Sequence, residues 1–559
     1  MDKPWLKFYE PGVPASIPYP DSPLFHNLDE AARTYPNNTA TVYFDAKLTY
    51  RELAALVDKF AAGLQKLGVK KGDRVAIYLP NCPQFVIAYY GTLKAGGIVV
   101  PCNPLYVPRE LEHQFNDSGA EIVVALTKLY PVVKAVRSRT RVRHVIVTSI
   151  KEFFPPILRL LFTLAKEKKE GHKIDISGDA NTHWFQDFLA QAPEKPQPVT
   201  VTARDTACLL YTGGTTGVPK AAELSHRNLM ANAMQCSAWC SGRRGEERFL
   251  TALPLFHSYG MTTCMNAGIY LASPMVLLPQ FKLKDVLEAI NKHQPTIFPG
   301  VPTMYVAINN YPDIGDYNLR SIRACISGAA GLPVEVQQKF QSLTGGRLVE
   351  GYGLSEASPV THGNPVFGDC RIGTIGVPFP DTDARIVDLE LGTKELPPGE
   401  IGELTLKGPQ IMKGYWNRPD ETALVMREGW LYTGDIARRD ADGYFQIVDR
   451  KKDMIIAGGF NIYPRDVEEV LYQHPKIKEA VVAGIPDEYL GEVVKAYVVL
   501  KEGETATEEE IIEYCRQGMA KYKAPRKVEF RKELPKTMIG KILRRVLVEE
   551  ERQKMAKKT

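Results

Sequence analysis

The feature that most constrains the fold is an alternation of short apolar runs with helical stretches. Arg74-Val-Ala-Ile-Tyr-Leu79 reads as a strand, Pro83–Leu93 as a helix and Gly96-Gly-Ile-Val-Val-Pro101 as the next strand. Parallel strands cannot be joined by a tight turn, so such alternation implies a largely parallel sheet with crossover helices. The pattern continues to residue 380, with further apolar runs at Thr296–Pro299 and Ala324–Ser327. Upstream, Thr49-Tyr-Arg-Glu52 is a capping box that starts a helix. Leu53, Leu56, Val57, Phe60, Leu64 and Leu67 follow at helical spacing, and Gly68 stands where a chain leaves a helix.

After Pro378 the texture changes. Residues 384–449 hold short strands broken by Pro397-Pro-Gly399 and Asp442-Gly443, which suggests a small antiparallel barrel or sheet. Beyond Asp449 a compact α/β unit follows, with a helix at Asp466–Tyr472, strands at Ala480–Ile485 and Val493–Leu500, and a basic tail.

A chain of 559 residues holds roughly three or four folding units. With 44% hydrophobic and 24% charged residues it reads as a globular enzyme, not a disordered chain. The net charge of +5 is small, and no nucleic-acid-binding signature accompanies it, so no nucleic acid is expected. The nine cysteines are scattered, the nearest pair, Cys236 and Cys240, at helical spacing, so reduced thiols and a cytoplasmic location are expected. The opening Met-Asp-Lys-Pro-Trp begins no apolar signal segment. Phe153–Ala165 is apolar but too short to span a bilayer, and Lys166-Glu-Lys-Lys169 follows it. It fits either a helix packed on the body or one resting on a membrane surface; packing is preferred, because most short apolar helices are core.

Tyr211-Thr-Gly-Gly-Thr-Thr-Gly-Val-Pro-Lys220 carries the strongest chemical signal. Gly213, Gly214 and Gly217 let backbone N–H groups converge on an anion. Thr212, Thr215 and Thr216 add hydroxyl donors and Lys220 adds a charge. The apolar run Ala207–Tyr211 puts this loop at a strand end, where α/β proteins place ligands. A P-loop needs Gly before the lysine and Ser or Thr after it; here Pro219 and Ala221 stand there. Further segments are weak singly: Pro254-Leu-Phe-His-Ser-Tyr-Gly260, Ser327-Gly-Ala-Ala-Gly-Leu-Pro333, Glu350-Gly-Tyr-Gly-Leu-Ser-Glu356, Leu431-Tyr-Thr-Gly-Asp435 and Val448-Asp-Arg-Lys-Lys-Asp453.

In this order and over nearly the whole chain, ending in Leu534-Pro-Lys-Thr-Met-Ile-Gly-Lys-Ile-Leu-Arg-Arg545, they make the sequence resemble the adenylate-forming superfamily. Within it the chain is most similar to bacterial long-chain fatty-acid–CoA ligases. The resemblance implies an α/β fold: a large N-terminal domain of mostly parallel sheets with a small β-barrel-like subdomain, then a small mobile α/β C-terminal domain. The expected limits are 1–449 for the adenylation domain, 384–449 for its β-rich part, 450–454 for a hinge and 455–559 for the lid.

It also implies a reaction in which a fatty carboxylate attacks the α-phosphate of ATP and coenzyme A then displaces AMP. Catalytic roles fall on Lys541, His257, Glu356 and Lys220. ATP and AMP contacts fall on Thr212, Gly213, Gly214, Thr215, Thr216, Gly217, Lys220, Gly328, Ala329, Gly351, Tyr352, Gly353, Ser355, Asp435, Arg450 and Lys541. Mg²⁺ is expected beside Glu356 and Thr212. Ser355 stands where the family usually has Thr and keeps the hydroxyl. Phe256, His257, Ser258, Tyr259 and Gly260 would line the acyl pocket, Lys452 would be the hinge, and Gly458, Gly459 and Phe460 would border CoA.

The expected partners are thus a fatty acid, ATP and CoA, with peripheral attachment to the inner face of a membrane and a homodimer left open. A medium-chain or aryl-acid (4-coumarate-like) CoA ligase is the nearest rival. A luciferase-like oxygenase, a carrier-protein adenylating enzyme and a non-catalytic lipid-binding protein are weaker ones. The last is disfavoured because Lys220, Glu356, Asp435, Arg450 and Lys541 are all present.

Overall fold

The computed structural model describes residues 2–212, 219–457, 460–487, 491–537 and 542–556. It divides into two compact units. One comprises Trp5–Asp383 with Lys407–Leu431, the other Ala384–Leu406 with Tyr432–Thr559 and the first four residues.

The larger unit is built on an eight-stranded sheet. Its order is Gly414–Tyr415, Lys220–Ser225, Thr206–Thr212, Ile98–Pro101, Arg74–Tyr78, Ile122–Leu126, His144–Thr148 and Thr182–Trp184. The strands from Thr206–Thr212 to Thr182–Trp184 are parallel; Lys220–Ser225 turns back antiparallel. The period of two is visible in the core: Ala76, Tyr78, Val123, Ala125, Val145 and Val147 pack with Leu111, Phe115, Val133 and Val136 of the crossover helices. The expected capping box is present, with Glu52 N–H donating to Thr49 Oγ1 at 3.2 Å and Thr49 N–H to Glu52 Oε2 at 2.8 Å. The helix Tyr50–Lys66 ends at Leu67, and Gly68 follows with φ +91°.

A second set of strands carries Ala324–Ser327 parallel to Arg347–Gly353, followed antiparallel by Val360–Gly363 and Val377–Pro378. Thr296–Pro299, expected as a strand, forms only isolated bridges, Ile297 to Phe249 and to Ala324. Pro295 precedes it and Pro299 ends it, and neither has an N–H to donate to a ladder.

The apolar segment forms the helix Pro156–Ala165, but it is not the packed core helix preferred from sequence. Phe162 is its one buried residue. Periodicity defines a face without saying what covers it.

The smaller unit holds most of the neighbouring strands Gly402–Lys407, Trp430–Arg439 and Phe445–Arg450, the last two antiparallel, then a sheet of Phe460–Ile462, Ile455–Ala457, Gly491–Leu500 and Ile477–Asp487. Lys527–Phe530 joins it parallel to Gly491–Leu500. Helices Pro464–Tyr472, Glu508–Gly518 and Arg544–Ala556 complete the unit. Among the described residues, no helix is long and apolar enough to cross a membrane.

Candidate active site

In the larger unit the candidate residues gather where parallel strands end, the usual ligand edge of an α/β sheet. Ala324–Ser327 runs into buried Gly328 and exposed Ala329, the latter at φ +70°, a region few non-glycine residues occupy. A Cβ on Gly328 would lie 3.1 Å from the Tyr259 ring, so Tyr259 packs directly under this backbone. Its hydroxyl donates to Ile326 O at 2.6 Å. The neighbouring strand delivers Gly351, Tyr352 and Gly353. A Cβ at Gly353 would meet Pro359 O at 2.1 Å, so the crossing chains can approach only with glycine there. Tyr352 is half-buried, edge-on to buried His362 with 6.0 Å between ring centroids. Burial lowers the His362 pKa to about 3, so that ring is neutral.

The chain then makes a short turn through Ser355 and Glu356, and Ser358 follows at φ +70°. Ser258 Oγ and Ser355 Oγ are 3.3 Å apart. Met412 N–H donates to Glu356 O at 2.8 Å, and the Ser358 hydroxyl to Gln410 O at 2.9 Å. Phe256 and His257 are half-buried, Ser258 and Gly260 buried. His257 Nδ1 accepts from Tyr259 N–H at 3.3 Å, capping a helical stretch that widens into a π-helix over Met261–Asn266. Thr263 and Ala267 of this stretch line a small buried apolar cavity with Cys236, Leu271, Ile297 and Ile326.

Lys220 opens the strand after the Gly/Thr loop, and Thr212 closes the strand before it. The two are register partners, with Thr212 Oγ1 donating to Lys220 O at 3.4 Å. Lys220 Nζ sits 2.7 Å from Glu421 Oε2 and 4.1 Å from the Tyr415 ring centroid. The Tyr415 hydroxyl in turn donates to Glu356 Oε1 at 2.8 Å. Burial, with the Glu356 carboxylate adding to it, pushes the Tyr415 phenol well above its ordinary value, so it stays a donor. Arg418 links this cluster to Asp117 at 2.7 Å, and Asp117 accepts from Tyr211 Oη at 2.7 Å. Cation, ring and carboxylate thus stand in contact: Lys220 can meet phosphate oxygens, and Glu356 offers a hard oxygen to a cation. Among the described residues no cluster of three or more His, Cys, Asp or Glu could enclose a metal. A single carboxylate such as Glu356 is compatible with Mg²⁺, which prefers few protein oxygens and completes its octahedron with water and phosphate.

Sequence reading passed over Asp117, Tyr415, Arg418 and Glu421. The signal available was Gly414-Tyr-Trp-Asn-Arg-Pro-Asp-Glu-Thr422, an aromatic and charged run that was absorbed into the β-rich segment.

In the smaller unit Asp435 and Arg450 are cross-strand partners, with Arg450 Nε 3.1 Å from Asp435 Oδ1. Asp435 is buried. Lys452 lies in the exposed turn that follows. Gly213, Gly214, Thr215, Thr216, Gly217, Gly458, Gly459 and Lys541 lie outside the described residues, as does the side chain of Phe460.

The described residues thus bring Lys220, Tyr415 and Glu356 together at the strand ends of an α/β sheet. Residues 28–416 match the family model described as AMP-binding enzyme, and residues 466–541 match the AMP-binding enzyme C-terminal domain. The chain belongs to the AMP-binding enzyme family, the adenylate-forming superfamily that includes the acyl-CoA synthetases. It is 49% identical to a long-chain-fatty-acid–CoA ligase of Bacillus subtilis, covering 98% of both chains. It is 41% identical to one from Yersinia pestis, covering 99% of this chain and 98% of the other. Among solved structures, an anthranilate CoA ligase in complex with anthranoyl-AMP superposes with a TM-score of 0.84 at 27% identity, over 97% of this chain and 99% of that one.

Proposed function

We propose that this chain couples a long-chain fatty acid to coenzyme A through an acyl-adenylate. A carboxylate oxygen attacks the α-phosphorus of ATP, the bond to the β-phosphate oxygen breaks, and pyrophosphate leaves. The CoA sulfur, having lost its proton, then attacks the acyl carbonyl and AMP departs with the bonding electrons. The observation that carries this reading is the contact series Lys220–Tyr415–Glu356, a cation and a carboxylate fixed on one ring at the strand ends. Negative charge builds on phosphate oxygens in the first step, so positioned cations and N–H groups matter more than a protein nucleophile.

In this reading the loop Thr212–Lys220 holds the β- and γ-phosphates. Gly328, Ala329 and Tyr352 flank adenine, with Gly351 and Gly353 keeping that backbone close. Asp435 accepts from the ribose hydroxyls, with Arg450 beside it. Glu356, Ser355 and Thr212 would hold Mg²⁺, which when bound neutralises phosphate charge. Phe256, His257, Ser258, Tyr259 and Gly260 shape the acyl entrance. Lys541 reaches the α-phosphate and the carboxylate, and Gly458, Gly459 and Phe460 border CoA. Residues 1–449 form the adenylation domain and 455–559 the lid, which turns at Lys452 within 450–454 between the two half-reactions. Nine free cysteines support work in the cytoplasm.

The test is pyrophosphate release with MgATP across acids from hexanoate to oleate and against cinnamates. The expected kcat/KM rises toward the long alkyl chains; an optimum on a cinnamate would transfer the assignment to the aryl-acid ligases. Lys541→Ala is expected to slow adenylation by about 10²–10³ while thioester formation from supplied acyl-adenylate continues. Equal loss in both steps would count against the turning lid.

A further inference from the structure

The helix Pro156–Ala165 leaves a row of large apolar side chains uncovered. Ile157 is 77% exposed, Leu160 60%, Leu161 57% and Leu164 76%. Their spacing of three and four residues puts all four on one face of the helix. The opposite side is fixed to the body. Phe162 stands edge-on to Phe154 at 5.6 Å between centroids, and Lys151 Nζ donates to Thr163 Oγ1 at 2.9 Å and pairs with Glu167 at 2.7 Å. Phe154 also meets Phe44 at 4.6 Å, and Phe44, at the tip of the Thr39–Thr49 hairpin, is itself 42% exposed. The uncovered row is therefore a held surface and extends onto a second element.

Charge surrounds it. Arg159 lies on the helix, Lys166, Lys168, Lys169 and Lys173 follow it, and Lys128 lies beside Gly171; all are exposed. Glu167 is taken up by Lys151, and exposed Glu170 is outnumbered by the lysines around it, so the rim facing solvent is mainly basic. Ten residues span about 15 Å, half the hydrocarbon thickness of a bilayer, so such a helix can lie in the interface but not cross it. An apolar face rimmed by lysines is the pattern of an interfacial anchor on anionic lipid.

We propose that Pro156–Ala165, with the Phe44 hairpin tip, docks this enzyme on an anionic phospholipid surface, its leucines entering the acyl boundary and its lysines meeting headgroup phosphates. A long-chain fatty acid partitions into the same phase, so docking would bring the ligase to its substrate. The proposal leans on the fatty-acid reading only for this purpose; the surface itself is read from the helix.

The test is flotation of the full chain with vesicles of phosphatidylcholine, with and without phosphatidylglycerol, alongside acyl-CoA formation from monomeric fatty acid without vesicles. Wild type is expected to float with the anionic vesicles and to be released by salt. Leu160→Ser/Leu164→Ser should lower partitioning by about tenfold or more, and Lys166→Gln/Lys168→Gln/Lys169→Gln by about a hundredfold at low salt. Both should keep vesicle-free turnover, which separates failure of the anchor from failure of the ligase reading. Leu164→Trp should blue-shift its emission on anionic vesicles. Flotation of the serine variant equal to wild type, or no flotation of wild type, overturns the proposal. So does light scattering in which the serine pair splits a dimer while vesicle binding is unchanged, since the face would then belong to a second copy.

Discussion

Tyr415→Phe removes one hydroxyl and leaves the ring on which Lys220 rests. In wild type that hydroxyl donates to Glu356 Oε1 at 2.8 Å, and Tyr415 is only 8% exposed. A hydrogen bond to a charged group contributes about 1.5–3 kcal/mol, which corresponds to about 10- to 150-fold in rate if the bond is needed in the transition state. Glu356 is half-buried, so water replaces part of the lost bond, and the lower part of that range, about tenfold to thirtyfold, is expected. The assay is pyrophosphate release with oleate at varied Mg²⁺, beside thioester formation from supplied acyl-adenylate. Adenylation should slow and its apparent Mg²⁺ requirement rise, while the second half-reaction and the melting temperature stay close to wild type. Unchanged adenylation at every Mg²⁺ concentration would refute the claim that Tyr415 positions Glu356 for the phosphates.

Glu421→Gln frees Lys220 from the carboxylate now 2.7 Å away, so KM for ATP should fall by about fivefold with kcat retained, read from initial rates. Gly353→Ala would put a methyl 2.1 Å from Pro359 O and force the Ser355–Glu356 turn open. A lowered melting temperature, by about 1–3 kcal/mol of stability, should accompany loss of adenylation. His226 has its pKa lowered from 6.5 to about 4 by burial, while Nδ1 accepts from Leu24 N–H at 3.2 Å. The unfolded chain takes up this proton first, so its contribution to stability is present above pH 6.5 and lost as pH falls toward 4. His226→Gln should flatten that part of the melting-temperature profile, and an unchanged slope would remove His226 as a cause.

What the sequence made legible was local. Thr49 and Glu52 lie three positions apart and Gly68 ends the same helix, so residue type alone implied the geometry. Lys220 and Glu421 are 201 positions apart, and Tyr415 and Glu356 are 59, so their contacts depend on how strands are ordered in the sheet. The apolar row at 157–164 illustrates the same limit: spacing predicted a face, and only packing determined that solvent meets it. Thr296–Pro299 failed for a chemical reason, since prolines interrupt the donors a ladder needs.

Half-buried Arg544 gathers carboxylates from within and from both sides of the segment 450–454: Asp453 at 2.7 Å, Glu468 at 2.7 Å and, further off, Asp449 at 3.8 Å. Burial opposes its charge, yet these neighbours keep it protonated, whereas burial raises Asp449 to about 6 against the pull of Arg544. A swivel at Lys452 would carry Arg544, Asp453 and Glu468 together as a rigid ionic knot. Asp449 would be the member left behind, also losing the Arg465 N–H that now donates to it at 2.8 Å. Beyond the bond from Arg465 Nη1 to Ile447 O, the cost of unlatching would then fall on this one carboxyl group, and mild acid, by neutralising it, would make the latch easier to release.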